Sequence, residues 1–184
     1  MASPASNHVA PLERVRRLSV LMQAMIVAGA GLALGGLTWA WLAPGVAERF
    51  LPQRLETTSA VVTDDVRIAG FLISLLPLSI LFYGLYQAHQ MFAGYRRGEV
   101  FTDAAAERMR GLAYSLVGVA IAHPIAQAAL SVVLTWHAGP GHRQLSISLS
   151  SHDYFLAPLG VRLLARAQAM REAVRIAEEN REIV

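Results

Sequence analysis

Tyr95-Arg96-Arg97-Gly98-Glu99-Val100-Phe101-Thr102 is a charged turn set between two long apolar segments in the middle of a 184-residue chain. Before it, residues 66–91 hold a single charge, Arg67, and after it residues 112–135 hold no Asp, Glu, Lys or Arg. Each segment exceeds the roughly 20 residues with which a helix crosses the hydrocarbon of a bilayer. Thr102 followed by Asp103 and Ala104-Ala105-Ala106 is an N-cap with a strong helix former behind it. The turn therefore joins two membrane-crossing helices.

Working outward, Glu13-Arg14-Val15-Arg16-Arg17 precedes an uncharged run over residues 18–43, a first span. This run is longer than a signal-peptide core and no good Ala-x-Ala site follows it, so it reads as a retained helix. Residues 1–12 have the mixed composition of a disordered tail. Within the first span, Gly31 and Gly35 form a GxxxG pair, expected to pack a neighbouring helix of the same chain or, as the rival reading, to form a homodimer face. Trp39 and Trp41 suit the headgroup level at the far end. Residues 44–65 form a polar outer loop whose Thr63-Asp64-Asp65 can start the second helix. That helix carries Pro77 inside and grows more polar toward the turn through Gln87, His89 and Gln90.

Beyond the third span a second outer loop begins Gly139-Pro140-Gly141, then alternates apolar and polar over residues 145–150, a strand pattern that can pair with Val61-Val62. The last helix, 154–170 with a charged extension 171–184, contains Pro158, Gly160, Arg162 and Arg166. Hydropathy alone would miss it. The excess of Arg at positions 14, 16, 17, 96, 97, 108 and 110 puts those segments in the cytoplasm. Arg171, Arg175 and Arg181 ask for the same side, which requires a fourth crossing.

Composition excludes several chemistries. No Cys is present, which removes disulfides, thiol nucleophiles and Cys-based metal sites. All 16 basic residues are Arg, so there is neither a Schiff-base lysine nor a P-loop lysine. No His-Glu-x-x-His, Gly-x-Ser-x-Gly or phosphate-binding glycine loop occurs, so no enzyme and no cofactor are expected. The net charge of +3 sits beside apolar segments, where topology and anionic lipid explain it better than direct nucleic-acid binding.

The turn residues Tyr95, Gly98, Glu99, Phe101 and Thr102 resemble a bacterial group of small four-span membrane proteins, domain of unknown function family 2975. The run 71–78, the alternation 145–150 and the closing Arg171-Glu172-Ala173 with Ala177-Glu178-Glu179-Asn180 carry the same resemblance. It implies an inner-membrane protein with both termini in the cytoplasm, without known enzymology. In some members it also implies a small helix-turn-helix regulator encoded nearby, hence a cytoplasmic protein partner.

Inside the membrane the candidate polar site is His123 and Gln127 of the third span with Arg162 and Arg166 of the last. About 12 Å into the last helix, Arg162 either binds an anion or lipid headgroup within the bundle or snorkels outward from a shallow helix. His137, His142, His152 and Asp153 gather near the second outer loop but match no zinc spacing.

The sequence thus predicts an all-α membrane protein, a four-transmembrane-helix bundle with cytoplasmic helical extensions and a small outer β-pair. Its expected role is a membrane-anchored interaction or regulatory module acting through a cytoplasmic turn, Tyr95, Arg96, Arg97, Gly98, Glu99, Phe101 and Thr102. A small transporter and a lipid-binding structural subunit, homo-oligomeric through Gly31 and Gly35, are the alternatives.

Overall fold

The computed structural model describes residues 9–43, 45–46, 63–99, 102–135 and 151–182. Four helices follow in order: α1 (Val9–Leu42), α2 (Asp64–Arg96), α3 (Asp103–Leu134) and α4 (Ser151–Glu182). Three of them, α1 to α3, are long and apolar enough to cross a membrane, whereas α4 is not. The expected count of four spans therefore meets three apolar helices and a fourth interrupted by charge. No strand occurs among the described residues, and the expected β-pair between 145–150 and 61–62 lies outside them.

Helix boundaries depart from the apolar runs because backbone hydrogen bonding does not stop where charge begins. α1 starts at Val9, inside the segment expected to be a tail. α4 continues without a break through the charged stretch, where Arg175 pairs with Glu179 in i,i+4 spacing. Thr102 caps α3 as its sequence predicts, its Oγ1 accepting from the Ala105 N–H at 3.2 Å. Thr63 takes the extended N-cap backbone of α2, yet its hydroxyl donates to the Asp65 carboxylate instead of capping an N–H.

Each helix packs on its neighbours in sequence, α1 on α2, α2 on α3 and α3 on α4; among the described residues no other pair makes more than marginal contact. The arrangement is an open row, not a closed bundle. In lipid the outside is as apolar as the inside, so close packing and polar contacts, not burial of apolar area, select the faces that meet. Small residues mark those faces. A Cβ on Gly70 would overlap the Trp41 ring, one on Gly84 would overlap the Ser115 hydroxyl, and one on Gly160 would lie 2.7 Å from Val117 Cγ2 and 3.0 Å from the Ala113 carbonyl oxygen.

Trp41 is the largest of these buried anchors, 2% exposed, and its Nε1 donates to Ser74 Oγ at 3.2 Å. It closes a cluster with Val66, Leu130 and Leu134 at the end opposite the turn. Of the two tryptophans expected at the headgroup level, Trp39 is exposed, whereas Trp41 points into the α1–α2 contact.

Candidate functional site

The turn is built around Gly98. The Gly98 N–H donates to the Tyr95 carbonyl at 3.1 Å and the Glu99 N–H to the Gly94 carbonyl at 3.1 Å, the two bonds of a Schellman helix end. That motif needs a left-handed residue, and Gly98 supplies it with φ +84°. The Glu99 side chain folds back over Gly94 at the helix end, where the Arg97 guanidinium donates to Glu99 Oε2 at 3.0 and 3.2 Å. This hydrogen bond and the attached charge hold the Glu99 carboxyl below its ordinary range and push Arg97 above its own. Val100 and Phe101 lie outside the described residues.

Three ties converge beneath the turn. Arg96 Nη1 donates to Gln23 Oε1 at 3.1 Å, and Gln23 Nε2 donates to the His89 carbonyl at 3.1 Å, which fastens α1 to the last turns of α2. The Gln87 side chain packs on Gly111, which joins α2 to α3. Arg171 of α4 reaches Glu107 of α3, whose other oxygen accepts from Arg110 at 2.9 Å. Between the start of α3 and the charged part of α4 lies an open cleft of about 560 Å³ lined by Asp103, Glu107, Arg171, Glu172 and Arg175. The N-terminal end of α1, the turn and the C-terminal end of α4 all lie at this one end of the molecule, by virtue of these contacts.

The candidate intramembrane residues are not brought together. His123 and Gln127 are neighbours one turn apart on α3, with their Nε2 atoms separated by 3.3 Å. Since Gly160 lies against Ala113 and Val117, antiparallel register puts Arg162 level with about residue 113, roughly 15 Å along the axis from His123 at 1.5 Å per residue. Arg162 and Arg166 are both exposed. They belong to a different layer and a different face from the histidine, and no single polar path contains all four.

Gly31 and Gly35 have no protein atom within 4 Å of where a Cβ would stand. The intrachain packing expected of this pair is thus absent among the described residues. Gly31 instead edges a shallow groove of about 520 Å³ between α1 and α2, with Ile26, Leu34, Phe82, Tyr86 and His89. His137 and His142 fall outside the described residues, and no group of three or more metal-ligating side chains occurs among those described.

Gln23 is the functional-end residue that sequence reading passed over. A lone amide in an uncharged run was its signal, and it is only 8% exposed because α2 satisfies both its oxygen and its nitrogen.

Comparison with known proteins gives a family and names no activity. Neither the curated proteins nor the solved structures contain a match to the chain. A family model described as "Protein of unknown function (DUF2975)" matches residues 40–184, which takes in α2, α3 and α4 together with the turn. With most of its length matched, this chain, three of whose helices are long and apolar enough to cross a membrane, belongs to the DUF2975 family.

Proposed function

We propose that the protein is a membrane-anchored interaction module of the bacterial inner membrane whose turn end faces the cytoplasm and engages a protein partner. The observation that carries this reading is the convergence at the turn end: a Schellman-locked turn, the Arg96–Gln23–His89 tie and the Arg171–Glu107 pair hold Arg97, Glu99, Glu107 and Arg175 exposed on a fixed frame. Preorganised charged groups suit recognition, since little ordering entropy is lost when a partner binds. The Arg residues at positions 16, 17, 96, 97, 108, 110, 171 and 175 cluster at this end, which supports its cytoplasmic placement by the positive-inside rule. A small helix-turn-helix regulator is the class of partner to test first. Transport is the weaker reading, because a pathway needs polar groups at successive depths and His123–Gln127 stands apart from Arg162.

Photo-crosslinking in cells from position 99 of the turn and position 103 at the start of α3, with position 68 near the opposite end as control, tests the proposal. One protein captured reproducibly from the turn positions and lost on Arg97→Glu is the expected result. Solute flux in liposomes that is abolished by His123→Ala, without turn-specific capture, would refute it.

A further inference from the structure

The arginines of α4 divide into two kinds. Arg171 and Arg175 are matched by Glu107, Glu172 and Glu179 in the charged half of the helix. Arg162 and Arg166, the pair nearer the apolar half, have no hydrogen-bond or ion-pair partner among the described residues. Two like charges at i,i+4 repel by about 0.2–0.5 kcal/mol, a cost that an anion bridging them relieves.

Their level in the molecule is fixed by the register. Arg162 and Arg166 sit beside α3 residues of about 113 and 109, one step from Arg108 and Arg110. Through the contacts of Gly111 with Gln87 and of Gln23 with the His89 carbonyl, the same level on α2 and α1 is that of Gln87, His89 and Gln23. All four helices therefore place a polar or charged side chain in one belt, and from this belt to the turn end α3 and α4 are charged while α1 and α2 reach their first charges at Arg17 and Arg96. The belt suits the edge of the hydrocarbon on the turn side. Arginine at such an edge meets lipid phosphate, to which its planar fork can donate two parallel hydrogen bonds.

The surrounding surface fits a whole lipid and not just an ion. At 3.6 residues per turn, Phe155, Leu159, Arg162 and Arg166 fall within an arc of about 60°. Phe155 is 70% and Leu159 47% exposed, both on the hydrocarbon side of the arginine pair. The opposite face of the helix is anchored, with Gly160 against α3 and Ala167 only 1% exposed. We infer that the outer face of α4 is a binding site for one anionic glycerophospholipid, with Arg162 and Arg166 on its phosphate and Phe155 and Leu159 along its acyl chains. This site is separate from the partner surface at the turn and stands whether or not that surface binds a protein.

Native mass spectrometry of the full chain in detergent, titrated with phosphatidylglycerol or phosphatidylcholine, tests the site. The wild type should hold one phosphatidylglycerol in preference to phosphatidylcholine. Arg162→Gln/Arg166→Gln should weaken that binding by about 30-fold, since each cationic side chain at an anionic lipid surface is worth about fivefold. Arg162→Lys/Arg166→Lys keeps the charge and should retain most of the affinity, which ties the loss to charge and excludes misfolding. Equal phosphatidylglycerol affinity in the wild type and the glutamine variant would overturn the site, as would displacement of the lipid by millimolar inorganic phosphate, the mark of a free-anion site.

Discussion

Replacing Gly84 by Ala puts a methyl group where α2 meets α3 and tests whether small residues set this fold. Its Cβ would overlap Ser115 Oγ and lie 2.8 Å from Ser115 Cβ, while the next neighbour, Leu112 Cδ1, is at an ordinary 3.5 Å. Ser115 is 3% exposed, and its hydroxyl already donates to the Leu112 carbonyl at 2.8 Å. Rotating the hydroxyl away would not help, because Cβ is fixed to the α3 backbone. The two helices must separate, and overpacking of this kind costs about 1–3 kcal/mol. With an overlap this close the cost falls in the upper part of that range, about 2–3 kcal/mol; alanine returns about 1 kcal/mol of helix propensity, so the net loss expected of Gly84→Ala is about 1–2 kcal/mol.

The partner change separates this account from a general intolerance of substitution. Ser115→Gly removes both the overlapping oxygen and the crowded Cβ, at a propensity cost of about 0.5 kcal/mol. Gly84→Ala/Ser115→Gly should therefore return to within about 1 kcal/mol of the wild type, a coupling of about 2 kcal/mol between the sites. Gly84→Ala/Ser115→Ala, which keeps the Cβ, should fall between. The measurement is reversible unfolding in mixed micelles with rising dodecyl sulfate, followed by far-ultraviolet circular dichroism. A Gly84→Ala protein as stable as the wild type, or one that Ser115→Gly does not rescue, would refute the packing argument.

At the turn, Gly98→Ala forces a side chain into φ +84° and should cost about 1–2 kcal/mol in the same unfolding assay, with Gly98→Asn costing less because Asn tolerates the left-handed region. The Glu99 carboxyl, held low chiefly by its hydrogen bond from Arg97, should titrate in carboxyl-carbon NMR below the ordinary carboxylate range and return toward it in Arg97→Gln. Because its folded value is the lower one, the contribution of Glu99 to turn order is complete above the ordinary carboxylate range. That contribution is lost as pH falls through the depressed value.

The first three helices and the turn were legible in the sequence because uncharged length is an unambiguous signal, and so was the Thr102 cap, which depends on local chemistry alone. The faces were not. When lipid surrounds a helix, an apolar residue gains nothing from choosing protein over membrane, so periodicity carries little information about which side packs. The glycines show the consequence. Gly31 and Gly35 form the recognisable motif and have no atom of the described residues within 4 Å of where a Cβ would stand, whereas the isolated Gly70, Gly84, Gly111 and Gly160 take Trp41, Ser115, Gln87 and Val117. Each of those matches is set by two sequence positions far apart, and neither position announces the other.

The same limit governed the candidate polar site. Counting inward from the start of the last helix gives Arg162 a depth, but a depth that assumes all spans begin level with one another. The Gly160 contact with Ala113 and Val117 shifts α4 toward the turn relative to α3, so its first residues face the middle of α3 and its arginines the end of it. An arginine that would cost several kcal/mol in mid-membrane then needs no buried counter-ion, and none of the described carboxylates is spent on it. Gln23 makes the complementary case: it stands within an apolar run, yet α2 satisfies both ends of its amide. Charge that reads as buried lies level with the charged start of α3, and polarity that reads as incidental holds two helices together. In both, the deciding quantity is the register between helices, which four glycine contacts and one glutamine fix.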